Sequence, residues 1–245
     1  SNAVFSDKFL SLCSVLLLEG IYFYNFTSPE FNVNVCLLPF WALVAFYSWK
    51  SINYEKTSDL VLLGIFMALG FLTKYIFIYL IVTIKIIFIK KLIKKKNFNL
   101  RILIPGVVFF IILIPHLIWL SQNNFISIFY AFNRTGVEEI NLINHIYNPF
   151  IFLVKQFGIL VPVFLMLLTT VNLKKIKFKN FKKDKYFLLY INLIPIILVF
   201  LTSITFGAKI RTMWMTPFYL FLGVMLIQLF RQNFSKHRMK KFFGI

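Results

Sequence analysis

Long apolar runs separated by short polar stretches organise this chain from end to end. Eight runs are legible, over about residues 9–26, 35–49, 60–73, 75–89, 102–120, 150–171, 186–204 and 213–230. None shows the strict alternation that marks a half-buried strand, and they are too long for barrel strands. A helix satisfies its own backbone groups inside a bilayer, which an isolated strand cannot do. The pattern therefore predicts an all-α, polytopic transmembrane helical bundle of about eight spans. Residues 1–245 are read as one membrane-embedded domain.

The run over residues 60–89 admits one long tilted helix or two short ones. The lysines decide for two. A single span would put the block beginning at Lys90 on the opposite side from Lys50, and the later basic blocks would then face outward. Each half is about 21–23 Å long at 1.5 Å per residue, short of a ~30 Å hydrocarbon core. The turn "LTKY" (Leu72 to Tyr75) is expected to sit below the outer surface, buried in protein or lining a wet cavity.

Composition agrees with the pattern. The chain has 245 residues, 60% of them hydrophobic, and a mean hydropathy of +0.81. Charged residues are 14%, against about 25% in soluble domains. The net charge of +19 raises the question of nucleic acid, but most lysines stand in short blocks between apolar runs: "KKLIKKKNFNLR", "LKKIKFKNFKKDK" and "RQNFSKHRMKK". Such blocks orient spans and meet anionic lipid, so no nucleic-acid partner is expected. With the blocks placed in the cytoplasm, about twenty-one of the twenty-seven Lys and Arg lie inside. Both termini are then cytoplasmic. Cys13 and Cys36 lie in apolar runs without metal-type spacing and read as small hydrophobes.

The polar residues left on the outer side are few. Glu30, Asn32 and Asn34 come from "SPEFNVN", and Lys74 and Tyr75 from the short-hairpin turn. His116, Trp119 and Asn123 come from "PHLIWLSQNN", and Arg134 from the long outer loop. Lys209, Arg211 and Trp214 stand in "GAKIRTMWMTPFYL". Outer cations next to helices, one of them recessed, suit a phosphate at the membrane boundary. Lys74, Lys209 and Arg211 are the expected lipid-phosphate contacts. Asn32, Asn34, Tyr75, His116, Trp119, Asn123, Arg134 and Trp214 are substrate-side candidates. Each has a plainer reading: Lys74 as a snorkelling lysine, Lys209 and Arg211 as interfacial anchors beside Trp214, His116 as a structural hydrogen-bonding group. Glu19, inside the first run, is either a site or a partner for Lys85 or Lys155. Glu138 and Glu139 form an acidic pair that no other carboxylates are spaced to join, which leaves the cofactor unknown, a divalent metal included.

"SPEFNVNVCLLPFWAL", "LLGIFMALGFLTKY", "IPHLIWLSQNNFISIFYAF" and "GAKIRTMWMTPFYL" follow one another in that order. Together they resemble the polytopic glycosyltransferases of the GT-C type, closest to the bacterial group around protein mannosyltransferases, the aminoarabinose lipid A transferase and Rgt-like enzymes. The resemblance implies transfer of a sugar from a polyprenyl-phosphate-linked donor to a lipid, glycan or protein acceptor of the envelope, at the outer face of the bacterial cytoplasmic membrane. It also implies an acidic catalytic motif in a first outer loop, which this chain lacks. "SPEFNVN" resembles a later loop of the family, so the chain is expected to be the C-terminal part of such an enzyme, with the carboxylate upstream and this part alone inactive in transfer. Glu30 is the nearest substitute base. The rival readings are a lipid-linked-sugar flippase, which usually shows internal repeats, and a non-catalytic membrane subunit, for which the outer cations should scatter rather than converge.

Overall fold

Ten α-helices carry most of residues 7–27, 30–95, 99–136, 141–171, 183–231 and 233–244, the part described by the computed structural model. They are α1 Lys8–Leu16, α2 Val33–Tyr54, α3 Thr57–Thr73, α4 Ile78–Lys95, α5 Ile104–Gln122, α6 Ile126–Thr135, α7 Asn144–Thr170, α8 Lys183–Phe206, α9 Leu222–Phe230 and α10 Lys236–Phe243. Among the described residues the extended backbone pairs only at an isolated bridge between Val171 and Phe234.

The helices begin and end where the polar punctuation lies. Asn32 caps α2 by accepting from the backbone N–H groups of Asn34 and Val35 at 2.9 and 3.4 Å, which satisfies donors that the first turn leaves open. Asp7 caps α1 and Ser235 caps α10 in the same way. The apolar run over residues 60–89 does break in two: Lys74 leaves the helical backbone, a short 3₁₀ turn Tyr75–Phe77 follows, and α4 runs back. Phe77, immediately after the break, is fully buried against Trp41 of α2. The expectation of two short helices is met.

Length separates the remaining expectations. Four helical stretches are long and apolar enough to cross a membrane singly: α2, residues 100–122, α7 and Tyr186–Phe206. A fifth is reached if the 3₁₀ helix Thr212–Tyr219 and α9, bent by 50°, count as one broken span. The pattern of apolar runs predicts eight, and the difference has local causes. The first run breaks into α1, a 3₁₀ turn Leu17–Gly20 and a wider turn Phe23–Thr27. α3, at 17 residues, is apolar but short, and α4 carries Lys85, Lys90, Lys91 and Lys94. Large apolar side chains such as Ile111, Phe157 and Leu165 are exposed on the long helices, the surface a multi-pass membrane protein offers to lipid.

The core runs the length of the bundle. Trp41, Phe77, Leu80, Phe218 and Tyr219 are buried at its centre, with Trp41 4.8 Å from the Phe218 ring. α3 packs on α5 where Gly64 is held against Pro105, and Ala68, one turn on, is fully buried. Cys13 is buried, Cys36 is half-buried, and they are not bonded to each other. Polar ties sort the helix ends into two groups. Asn34 at the start of α2 meets Lys74 after α3, and Tyr75 meets His116 near the end of α5. At the other end Lys50 of α2 pairs with Asp59 of α3 at 2.6 Å, and Lys90 of α4 bonds Tyr190 of α8.

Candidate functional site

Lys74 is the centre of the first group of helix ends. Its backbone is extended, and its N–H still reaches the Gly70 carbonyl, closing α3. The half-buried side chain donates to Asn34 Oδ1 at 2.6 Å and lies 5.0 Å from the centroid of the Trp214 ring. A cation at that distance from an indole face is attracted by the ring quadrupole. Asn34 itself is buried, and the Asn32 cap two residues earlier fixes the helix start that presents it.

Two guanidinium groups, of Arg134 and Arg211, act on the Lys74 ammonium as like charges. Among the described residues no carboxylate pairs with Lys74. Like charges near one another favour an anion between them, the more so as water is excluded. Arg134, a substrate-side candidate in the sequence, is thus one of the two arginines whose charge reaches Lys74; both arginine side chains are exposed. Its guanidinium also donates to Tyr130 Oη at 2.6 Å, one helical turn earlier on α6.

The segment carrying Lys209 and Arg211 is pinned from three sides. Lys209 N–H donates to the Thr135 carbonyl at 2.8 Å, tying it to the end of α6. Ser203 Oγ donates to Ala208 O, and Asn148 Nδ2 donates to Gly207 O at 2.7 Å. The Lys209 side chain is exposed. Arg211 precedes the 3₁₀ helix Thr212–Tyr219, and its carbonyl accepts from Trp214 N–H at 3.0 Å, so Arg211 and Trp214 are set by one turn. Gly207 has φ 62°, and an added Cβ would stand 3.3 Å from Asn144 and His145. Gly207→Ala is expected to cost about 1–2 kcal/mol from the left-handed backbone alone. Thermal unfolding would show the loss, and protease cutting in residues 206–212 should speed up.

The other candidates divide. Tyr75 Oη bonds His116 Nε2 at 2.9 Å, and the His116 ring stacks on Trp119 with centroids 6.0 Å apart. Trp119 is 44% exposed, so this row ends in an open aromatic face. Asn123 Nδ2 donates back to Trp119 O at 2.8 Å, completing its own helix end. Glu30 is exposed, and its carbonyl accepts from Asn32 Nδ2. Glu19 is exposed on the Leu17–Gly20 turn and forms no ion pair with Lys85 or Lys155. Glu138 and Glu139 lie outside the described residues. Among the described residues no three His, Cys, Asp or Glu side chains gather as a metal set would.

Sequence reasoning missed two supports of the site. Gln156 of α7 accepts from buried Tyr219 Oη at 2.6 Å, and Tyr24 Oη donates to Thr216 O at 2.7 Å. Both hold the 3₁₀ helix that carries Trp214. A tyrosine and a glutamine inside apolar runs were the available signal, since buried polar groups need partners.

No curated protein and no solved structure matches the chain. A family model does match, over a segment that contains Asn34, Lys74, Tyr75, His116 and Trp119 and ends before Arg134 and Arg211. That family is the dolichyl-phosphate-mannose-protein mannosyltransferases, matched over residues 3–119, and over this stretch, just under half its length, the chain is similar to membrane glycosyltransferases of the GT-C type.

Proposed function

We propose that this chain is the membrane-embedded part of a glycosyltransferase that takes a sugar from a polyprenyl-phosphate donor and passes it to a lipid, glycan or protein acceptor at the outer face of the bacterial cytoplasmic membrane. The observation that carries the reading is the surroundings of Lys74: a half-buried ammonium, bonded to Asn34, facing Trp214, within the field of Arg134 and Arg211, and paired with no carboxylate among the described residues. The cluster stands at the helix ends away from the Lys90 block, which the charge bias puts on the outside.

Transfer breaks the bond between the sugar's anomeric carbon and a phosphate oxygen. The electron pair stays with that oxygen, so negative charge grows on the lipid phosphate as the acceptor oxygen bonds to carbon. Lys74, Arg134 and Arg211 are placed to stabilise that growing charge. The acceptor's proton must go to a base. Glu30 is the candidate base this reading assigns. The open row Tyr75–His116–Trp119 offers an aromatic face and an imidazole to the sugar or acceptor. Two arginines within the electrostatic reach of a half-buried lysine support a site over a structural subunit, whose outer charges have no reason to gather.

The test is binding of farnesyl phosphate, a short polyprenyl phosphate, to the chain in lipid nanodiscs. Farnesyl phosphate should bind at least about tenfold more tightly than farnesol, as a charged hydrogen-bonded phosphate requires, and the preference should shrink as salt rises. Equal binding of the phosphate and the alcohol would overturn the reading.

A further inference from the structure

The opposite end of the bundle contains a second cationic recess. A cavity of about 470 Å³ opens between the end of α2, the end of α4 and the start of α5. Its polar lining is rich in donors. Ser51 is 3% exposed, and its hydroxyl has no hydrogen-bond partner among the described residues. Asn99 accepts from Arg101 N–H through Oδ1, which leaves its amide N–H groups to donate. Lys91 donates to Ile52 O at 2.6 Å and pairs with Glu55 at 2.7 Å. With Glu55 answered by Lys91, the Arg101 guanidinium leaves the recess with net positive charge, and no carboxylate pairs with it among the described residues.

The Ser51 oxygen is closed to solvent, so the donors open to a ligand are the Arg101 guanidinium and the Asn99 amide. A phosphate accepts from both. The surroundings choose how that phosphate arrives: beside the recess Ile93, Leu100 and Leu103 are 74%, 69% and 51% exposed, an apolar apron of the kind acyl chains cover. We propose that this recess binds the headgroup of an anionic diacyl phospholipid, with Arg101 and Asn99 on the phosphate oxygens and the acyl chains against the apron. Basic pockets between transmembrane helices are suited to such headgroups. The site is separate from the Lys74 cluster and does not depend on the proposed transfer reaction.

Native mass spectrometry of the chain released from detergent tests the proposal, with phosphatidylglycerol and phosphatidylcholine as probes. Phosphatidylglycerol should be retained preferentially. Arg101→Gln should weaken that retention about fivefold, the worth of one basic residue at an anionic surface. Asn99→Asp should also weaken it, and Ser51→Ala, whose oxygen is closed to solvent, should leave it unchanged. Arg101 is exposed, and Asn99→Asp keeps an oxygen to accept from Arg101 N–H, so neither change threatens folding. Equal retention of the two lipids, or unchanged retention in both Arg101→Gln and Asn99→Asp, would overturn the proposal. So would full competition by inorganic phosphate, which would make this a site for a free anion.

Discussion

Replacing Lys74 by glutamine is expected to weaken farnesyl phosphate binding roughly 10- to 150-fold, the worth of a charge-assisted hydrogen bond. The change suits the question because a glutamine amide can still donate to Asn34 Oδ1, the partner that Lys74 holds at 2.6 Å. The tie between α2 and the α3–α4 break survives, and what goes is the charge and its attraction to the Trp214 face. Arg134→Gln and Arg211→Gln should each cost less, since both side chains are exposed and screened by water. Lys209→Gln should change binding least of the four: the structure uses its backbone N–H to reach Thr135, while its side chain stands exposed. Isothermal titration of the four variants in nanodiscs gives the order directly. Lys74→Gln binding within about twofold of the unaltered chain would remove Lys74 from the site, because even a weak exposed ion pair is worth that much.

The order of those four variants also shows where sequence reading succeeds. Lys74 was legible because a lysine inside thirty apolar residues has no reason to be there, and because charge bias demanded a reversal near it. Its partners were less legible. Asn34 lies 40 residues away, and only the antiparallel packing of α2 and α3 brings the two together. Arg134 was read as substrate-side because it fell in the long outer loop between two apolar runs. In the structure α6 forms there, and the bond from Lys209 N–H to Thr135 O draws its end to the same corner. Local pattern carries no information about a contact made between residues 135 and 209.

The apolar run over residues 213–230 shows the complementary limit. Hydropathy alone reads it as one straight span. The structure makes it a 3₁₀ helix of eight residues, Thr212–Tyr219, followed by α9 at 50°. Runs of 3₁₀ helix that long are uncommon because the hydrogen bonds are poorer and side chains eclipse. Tertiary contacts maintain this one: Tyr24 on the Thr216 carbonyl, Tyr219 on Gln156, and Phe218 against Trp41. Pro217 was the local hint, since proline removes a donor from a regular helix. Trp214, whose ring centroid lies 5.0 Å from the Lys74 ammonium, stands on the 3₁₀ half of this broken span, so the feature that hydropathy hides carries one wall of the cation site.

That dependence gives the second large effect. Gly223→Ala is expected to destabilise the chain by about 1–3 kcal/mol or more, the cost of overpacking a close contact. A Cβ at position 223 would lie 2.0 Å from the Ser14 carbonyl oxygen and 3.1 Å from its carbonyl carbon. Both atoms are backbone, so no side chain can rotate away, and α1 must separate from α9. Thermal unfolding should fall accordingly, and protease cutting in residues 17–27 should speed up as α1 loosens. Farnesyl phosphate binding should weaken too, although no atom near Lys74 changes. The turn that follows α1 carries Tyr24, whose hydroxyl holds Thr216 in the 3₁₀ helix beside Trp214. Gly158→Ala is the matched control: it lies in α7 with open space where its Cβ would go, and alanine there should stabilise the helix by about 0.5–1 kcal/mol. If both alanine variants behaved alike, the tight α1–α9 contact would not be what sets the bend. If only Gly223→Ala loosened α1 and weakened phosphate binding, the charge cluster would be shown to rest on packing at the far side of the same broken span.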